Sequence, residues 1–195
     1  MPKIDIAAVA AHKGSGYPPP FDAPCAARTR RRLGNAGGLR DFGVNFMTLP
    51  PGGWSSQRHW HSDEDEFVYV LEGEVTLAED GGEVALRAGD CAAFPKGTGN
   101  GHHLINKSSA MAIYLEVGSR NPSDLTTCSD VDMMSSNADG RFVHKDGTPY
   151  SDELNRTYAG QTAYLGASSA RRVDAAVLSI WPISTLSDRC CDAAR

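Results

Sequence analysis

His59 and His61 stand two residues apart, and Glu66 follows five residues later. On an extended strand, side chains two apart share a face. The two imidazoles therefore reach toward one centre while Trp60 points away. The polar run Ser62, Asp63, Glu64, Asp65 reads as a solvated turn, after which Glu66 opens the next strand and swings its carboxylate back beside the imidazoles. A turn one residue shorter would offer Asp65 in its place. Further along, Gly89 and the loop from Pro95 to Gly101 let the backbone turn sharply before His102 and His103. With His102 at the start of that strand, the set becomes three imidazole nitrogens and one carboxylate oxygen. Such a set suits one divalent ion of the Fe, Mn, Zn, Ni, Co or Cu type, and the lack of cysteine ligands disfavours thiophilic choices. A metal with open positions polarises a carbonyl, carboxylate or enolate, or binds dioxygen.

The neighbours of these residues carry weaker signals. His103 has the opposite parity to His102, which suits a structural hydrogen bond or a subunit contact; it is also the one candidate general acid or base in view. Arg58, immediately before the histidine pair, could clamp a carboxylate bidentately, although its parity is opposite to that of His59. Tyr69, Phe94 and Tyr114, with Trp54, are the aromatic candidates for a substrate pocket, against the usual role of such residues in a β core. Cys91, in an apolar strand without an activating base, reads as a small buried hydrophobe. His12 and His144 lie outside the pattern.

The elements that must position these groups are strands. Short β-branched, aromatic and aliphatic segments at 42–49, 55–61, 66–72, 74–78, 83–87, 91–94, 102–106 and 110–117 are separated by Gly, Pro, Asp and Asn. No long helical period intervenes, so an antiparallel barrel or sandwich is expected rather than a βαβ sheet. Residues 1–39 form an arm made irregular by Pro18, Pro19, Pro20 and Pro24. Within it, Arg28, Arg30, Arg31 and Arg32 make a basic run, either a contact for a phosphate or acidic ligand or a solvated, ion-paired face. Residues 40–120 hold the barrel core. Residues 121–150 form a polar linker with one small β element near the Asp146-Gly147 turn. Residues 151–195 make a C-terminal extension with a single apolar cluster at 177–183.

Composition narrows the function classes. The chain has 195 residues, 41% hydrophobic and 22% charged, with a formal charge of −5. That is ordinary globular composition and rules out a wholly disordered protein. Nothing approaches the roughly 18 apolar residues of a membrane span, and no secretory segment is recognisable, so a cytoplasmic protein without a membrane partner is expected. Five cysteines without CxxC spacing indicate reduced thiols rather than a disulfide framework. Net acidity and the absence of a helix-turn-helix pattern argue against nucleic acid as a partner.

Together these features resemble the cupin superfamily, at its small single-domain bacterial end. The first cupin motif, G-x5-H-x-H-x3–4-E-x6-G, is matched by Gly53, His59, His61, Glu66 and Gly73. The second, G-x5-P-x-G-x2-H-x3-N, is matched by Gly89, Pro95, Gly97 and Asn106. Four residues, rather than two, separate Gly97 from His102, and Asn100 stands at the usual histidine position. The third histidine is therefore His102 or His103. The resemblance implies an all-β, jelly-roll-like barrel holding one divalent metal through His59, His61, Glu66 and His102, and commonly a homodimer. It implies a metal-dependent enzyme acting on a small polar molecule by dioxygenation, isomerisation or decarboxylation, or else a non-catalytic sensor or storage module.

Overall fold

The alternating segments become strands in the computed structural model, which describes residues 3–138 and 140–151. Thirteen strands form among the described residues: β1 Ala11–Lys13, β2 Thr29–Arg32, β3 Phe42–Leu49, β4 His59–His61, β5 Glu66–Glu72, β6 Glu74–Glu79, β7 Gly82–Arg87, β8 Cys91–Phe94, β9 His103–Ile105, β10 Ala112–Ser119, β11 Leu125–Cys128, β12 Met134–Ser136 and β13 Phe142–Val143. A single four-residue α-helix, Leu33–Ala36, stands among them. All pairings are antiparallel. They make a six-stranded sheet in the order β1-β2-β3-β10-β5-β8, a four-stranded sheet β13-β12-β11-β4 and a three-stranded sheet β7-β6-β9. No helix of the described residues is long and apolar enough to cross a membrane.

The core lies between the sheets. Met47, Leu49, Val68, Val70, Val75, Leu77, Leu104 and Tyr114 are almost wholly buried and pack as one cluster. Each such side chain contributes about 1.5–3 kcal/mol through removal from water, and alternation puts their strand neighbours outside. The turn from β5 to β6 depends on Gly73, whose φ of 76° favours glycine. A Cβ there would also stand 2.5 Å from the Met111 carbonyl oxygen.

The arm is mostly irregular, and β1 and β2 within it extend the large sheet along β3. Its Tyr17 and Phe21 pack on a second cluster of Cys128, Met133 and Phe142. Tyr17 meets the Phe142 ring at 5.4 Å between centroids.

Three expectations are corrected. The segment 121–150 is more than a linker with one small β element, because β11 and β12 lie in it and β11 pairs with the histidine strand β4. The strand expected over 55–61 is confined to His59–His61, with Ser55, Ser56 and Gln57 buried in the approach to it. Cys91 is exposed, since it pairs with Tyr69 on the outer face of the large sheet. Cys25, Cys91 and Cys128 are free thiols. Cys190, Cys191 and the apolar cluster at 177–183 lie outside the described residues.

Candidate metal centre

Strand β4 is held between two partners. On one side β11 sets Cys128 opposite His59 and Thr126 opposite His61. On the other, His59 and His102 exchange backbone hydrogen bonds of 3.1 and 2.9 Å. This exchange brings His102, and not His103, beside the first histidine pair. Glu66 opens β5 opposite Phe94 of β8, and its carboxylate turns toward the imidazoles. Glu66 Oε2 lies 3.6 Å from His59 Nε2, 3.4 Å from His61 Nε2 and 3.0 Å from His102 Nε2. His59, His61 and Glu66 offer ligand atoms all within 4.8 Å of one another, and His102 closes on their carboxylate.

The rings are oriented from behind. His59 Nδ1 donates to the Gln57 carbonyl oxygen at 2.9 Å, and His61 Nδ1 donates to Asp124 Oδ2 at 2.6 Å. A proton held on Nδ1 leaves Nε2 as the lone-pair nitrogen of the neutral ring, the form a metal requires. The His102 ring lies flat against Phe94, 3.6 Å between centroids and 2° between planes. The donor set therefore fits a divalent ion: converging nitrogens, one anionic oxygen and outer partners that fix the tautomers.

The electrostatics follow from burial and pairing. Burial alone would raise the Glu66 carboxyl, yet the hydrogen bond from His102 and the nearby His59 and His61 hold it well below the usual carboxylate range. Burial lowers His102. Burial also pulls His61 down, but its hydrogen bond to Asp124 and the charges of Glu66, Asp124 and Glu64 outweigh that and lift it to about 9. Asp124, wholly buried, would be raised by desolvation; hydrogen bonds from His61 and the Asp63 amide lower it instead.

The centre forms one wall of a cavity of about 180 Å³. His59, His61 and Glu66 face into it, as do Glu116 of β10, Arg28 and Arg30. Register explains the company they keep. Arg30 pairs with Met47, Met47 with Tyr114 and Tyr114 with Val70, a row that is otherwise core, so Arg30 is on the inner face. Asn45, Glu116 and Val68 make the adjacent row. Asn45 Nδ2 donates to Glu116 Oε1 at 2.8 Å.

Several predicted site residues are placed elsewhere. Arg58 turns away from the histidines, as its parity required, and forks onto Asp130 with Nε–Oδ2 of 2.9 Å and Nη2–Oδ1 of 2.6 Å while also pairing with Asp80. Tyr69 is on the outer face of β5 and 39% exposed. Tyr114 is wholly buried in the core, below the cavity rather than lining it. Phe94 is at the centre, as a support for His102. His103 is buried, donates from Nδ1 to the Ser56 carbonyl oxygen at 3.1 Å and meets Trp54 edge-on. Asp65 accepts from the Lys96 amide and is exposed, so Glu66 is the carboxylate that faces the imidazoles.

Sequence reasoning missed Asp124, Glu64 and Glu116. Glu64, read as part of a solvated turn, is largely buried and accepts from the Asn121 amide and Asn137 Nδ2. Together with Asp124 it backs His61. An alternation count along β10 could have put Glu116 on the Tyr114 face; nothing local pointed to Asp124, whose partner is distant in sequence. His144 stacks on Tyr150 and bonds Asp132, remote from the centre, and His12 is on the exposed strand β1.

Residues 45–118 match the family model described as Cupin domain. Among solved structures, the chain is similar to a sugar phosphate isomerase from a cupin superfamily of Silicibacter pomeroyi, at 44% identity over 79% of this chain and 99% of that one, TM-score 0.73. It is similar to a putative sugar phosphate isomerase of Acidithiobacillus ferrooxidans at 27% identity, covering 65% and 81%, TM-score 0.58. A polyketide cyclase of Streptomyces resistomycificus shares the fold at 21% identity, covering 64% and 83%, TM-score 0.50. No curated protein matches the chain.

Proposed function

The chain belongs to the cupin superfamily, and from that premise we propose that it is a mononuclear metal-dependent isomerase of a small phosphorylated sugar. The observation that carries this reading is the convergence of three imidazole Nε2 atoms on Glu66 Oε2, at 3.0–3.6 Å, beside a polar cavity that His59, His61 and Glu66 line. The relatives at 44% and 27% identity, named as a sugar phosphate isomerase and a putative one, support the reaction class.

In this reading His59, His61, Glu66 and His102 hold one divalent ion of the Fe, Mn, Zn or Ni type, which supplies Lewis-acid polarisation of the sugar carbonyl. The chain's own groups do the rest. Gln57 and Asp124 keep the imidazole tautomers fixed. Glu116, on the same cavity wall and oriented by Asn45, accepts the proton from the carbon beside the carbonyl and returns it to the former carbonyl carbon. The adjacent hydroxyl proton passes to the carbonyl oxygen, so the rearrangement is balanced without an oxidant. A carboxylate in this role contributes about 10²–10⁴ in rate. His103, buried and turned from the cavity, has no part in the transfer. The reading also includes the homodimer that the cupin resemblance implies.

The test is incubation with aldose and ketose phosphates in deuterated water, followed by NMR. The reading predicts deuterium at the carbon beside the carbonyl, lost by about 10²–10⁴ in Glu116→Gln while bound metal stays. Absence of exchange on every sugar phosphate, with metal bound, would overturn it in favour of a sensor or storage cupin. Dioxygen consumption would overturn it in favour of a dioxygenase.

A further inference from the structure

The basic run of the arm divides between the two faces of its strand. Arg31 points outward and donates to the Val9 and Ala7 carbonyl oxygens. Arg30 points inward through its pairing with Met47, and Arg28, two residues earlier, has the same parity. Arg28 Nε donates to the Gly14 carbonyl oxygen at 3.1 Å, which ties the start of the strand to the arm and steadies the guanidinium. Arg28 and Arg30 both line the cavity that holds His59, His61 and Glu66.

We propose that Arg28 and Arg30 form an oxyanion anchor that takes the phosphate end of the ligand, holding its carbon chain across the cavity toward the His59–His61–Glu66 wall. This rests on the isomerase reading for what lies at the far end of the ligand. Three observations carry it. First, the arginines stand on a cavity wall distinct in sequence and strand from the histidines, so one ligand can meet both. Second, the charges are complementary: the two guanidiniums of the lining offset the carboxylates of Glu66 and Glu116. A divalent cation then leaves the cavity positive, matching a phosphate monoester, which carries roughly −1.5 to −2 at neutral pH. Third, the cavity of about 180 Å³ is below the roughly 300–1,000 Å³ of pockets for drug-sized ligands, so a small ligand suits it. Guanidinium forks match phosphate oxygens in geometry as well as charge.

The experiment is calorimetric titration of inorganic phosphate into the full chain as purified, with bound metal measured on every sample. Wild type, Arg30→Gln, Arg30→Lys, Arg28→Lys, Arg31→Gln and His59→Ala are compared. The proposal predicts about 10–100-fold weaker phosphate binding in Arg30→Gln, in line with loss of a charge-assisted hydrogen bond. It predicts a smaller loss in the lysine variants, no change in Arg31→Gln, and undiminished metal in all four arginine variants. Phosphate binding that persists in His59→Ala, after metal is lost, separates the anchor from the metal. Unchanged binding in Arg30→Gln and Arg28→Lys would overturn the proposal, as would binding abolished by His59→Ala alone; in those cases the metal reading stands. Arginine-dependent phosphate binding in a wild type without metal would sink the isomerase reading and leave the anchor.

Discussion

The two faces of the six-stranded sheet have the same strands and opposite chemistry. Inward, the rows Arg30, Met47, Tyr114, Val70 and Asn45, Glu116, Val68 lead from packed core to a polar cavity that ends at Glu66 and Phe94. Outward stand Phe67, Tyr69 and Leu71, each about two-fifths exposed, with Cys91 beside Tyr69. Neighbours in sequence are thus separated by the full thickness of the sheet: Glu66 from Phe67, Arg30 from Arg31. Parity, rather than proximity along the chain, decides which side chain meets the metal-type centre. Arg58 adjoins His59 yet bonds Asp130 and Asp80, whereas Arg30 comes from the arm and lines the cavity.

The sharpest way to break this contrast is at Phe94. Its truncation to alanine should cost about 3–5 kcal/mol, as for other buried aromatics, and should free the His102 ring. Tyr69→Ser on the opposite face should stay within about 0.5 kcal/mol. Urea denaturation of the two variants measures both, and equal losses would contradict the assignment of faces.

A second test probes the outer support of the inward face. Asp124→Asn should weaken metal binding by about 10–100-fold, the usual effect of removing a carboxylate behind a ligating histidine. Competition with a chelator reads it. A smaller effect belongs to Arg58, whose removal with Arg58→Ala should lower stability by about 1 kcal/mol, since its partners are more than half exposed, and should leave metal content alone.

The smallest effect is a labelling difference. Burial pushes the Cys25 thiol up to about 11 and Cys128 up to about 12, so at pH 8 only ~10⁻³–10⁻⁴ of either is thiolate. Alkylation followed by peptide mapping should mark Cys91 well before Cys25 and Cys128. Uniform labelling would show that the outer face of β8 has been misassigned.

Much of the fold was legible because alternation of buried and exposed positions is strong where a strand has one face in the core. β3, β5 and β8 have the bounds their patterns indicated. β11 and β12 were not legible, since Leu125, Thr126, Thr127, Met134 and Ser135 carry little periodicity: β11 gains its partner from β4, far back in the chain, and β12 is held in turn by β11 and β13. The histidine pair and Glu66 were legible from spacing. Their supports were not: Asp124 meets His61 across 63 positions, and no local pattern encodes that. The choice between His102 and His103 likewise needed the backbone exchange with His59. The inner parity of Arg28 and Arg30 was readable, but not which face of their strand would be inner.

The central claim is that His59, His61, Glu66 and His102 hold a metal. Elemental mass spectrometry on anaerobically purified protein, beside His59→Ala and Glu66→Gln of unchanged circular dichroism, tests it most directly. The account predicts one divalent ion per chain in the wild type and its loss in both variants. A wild type that carries no metal and takes up none from added iron, manganese, zinc or nickel would contradict it, as would variants that keep a full complement.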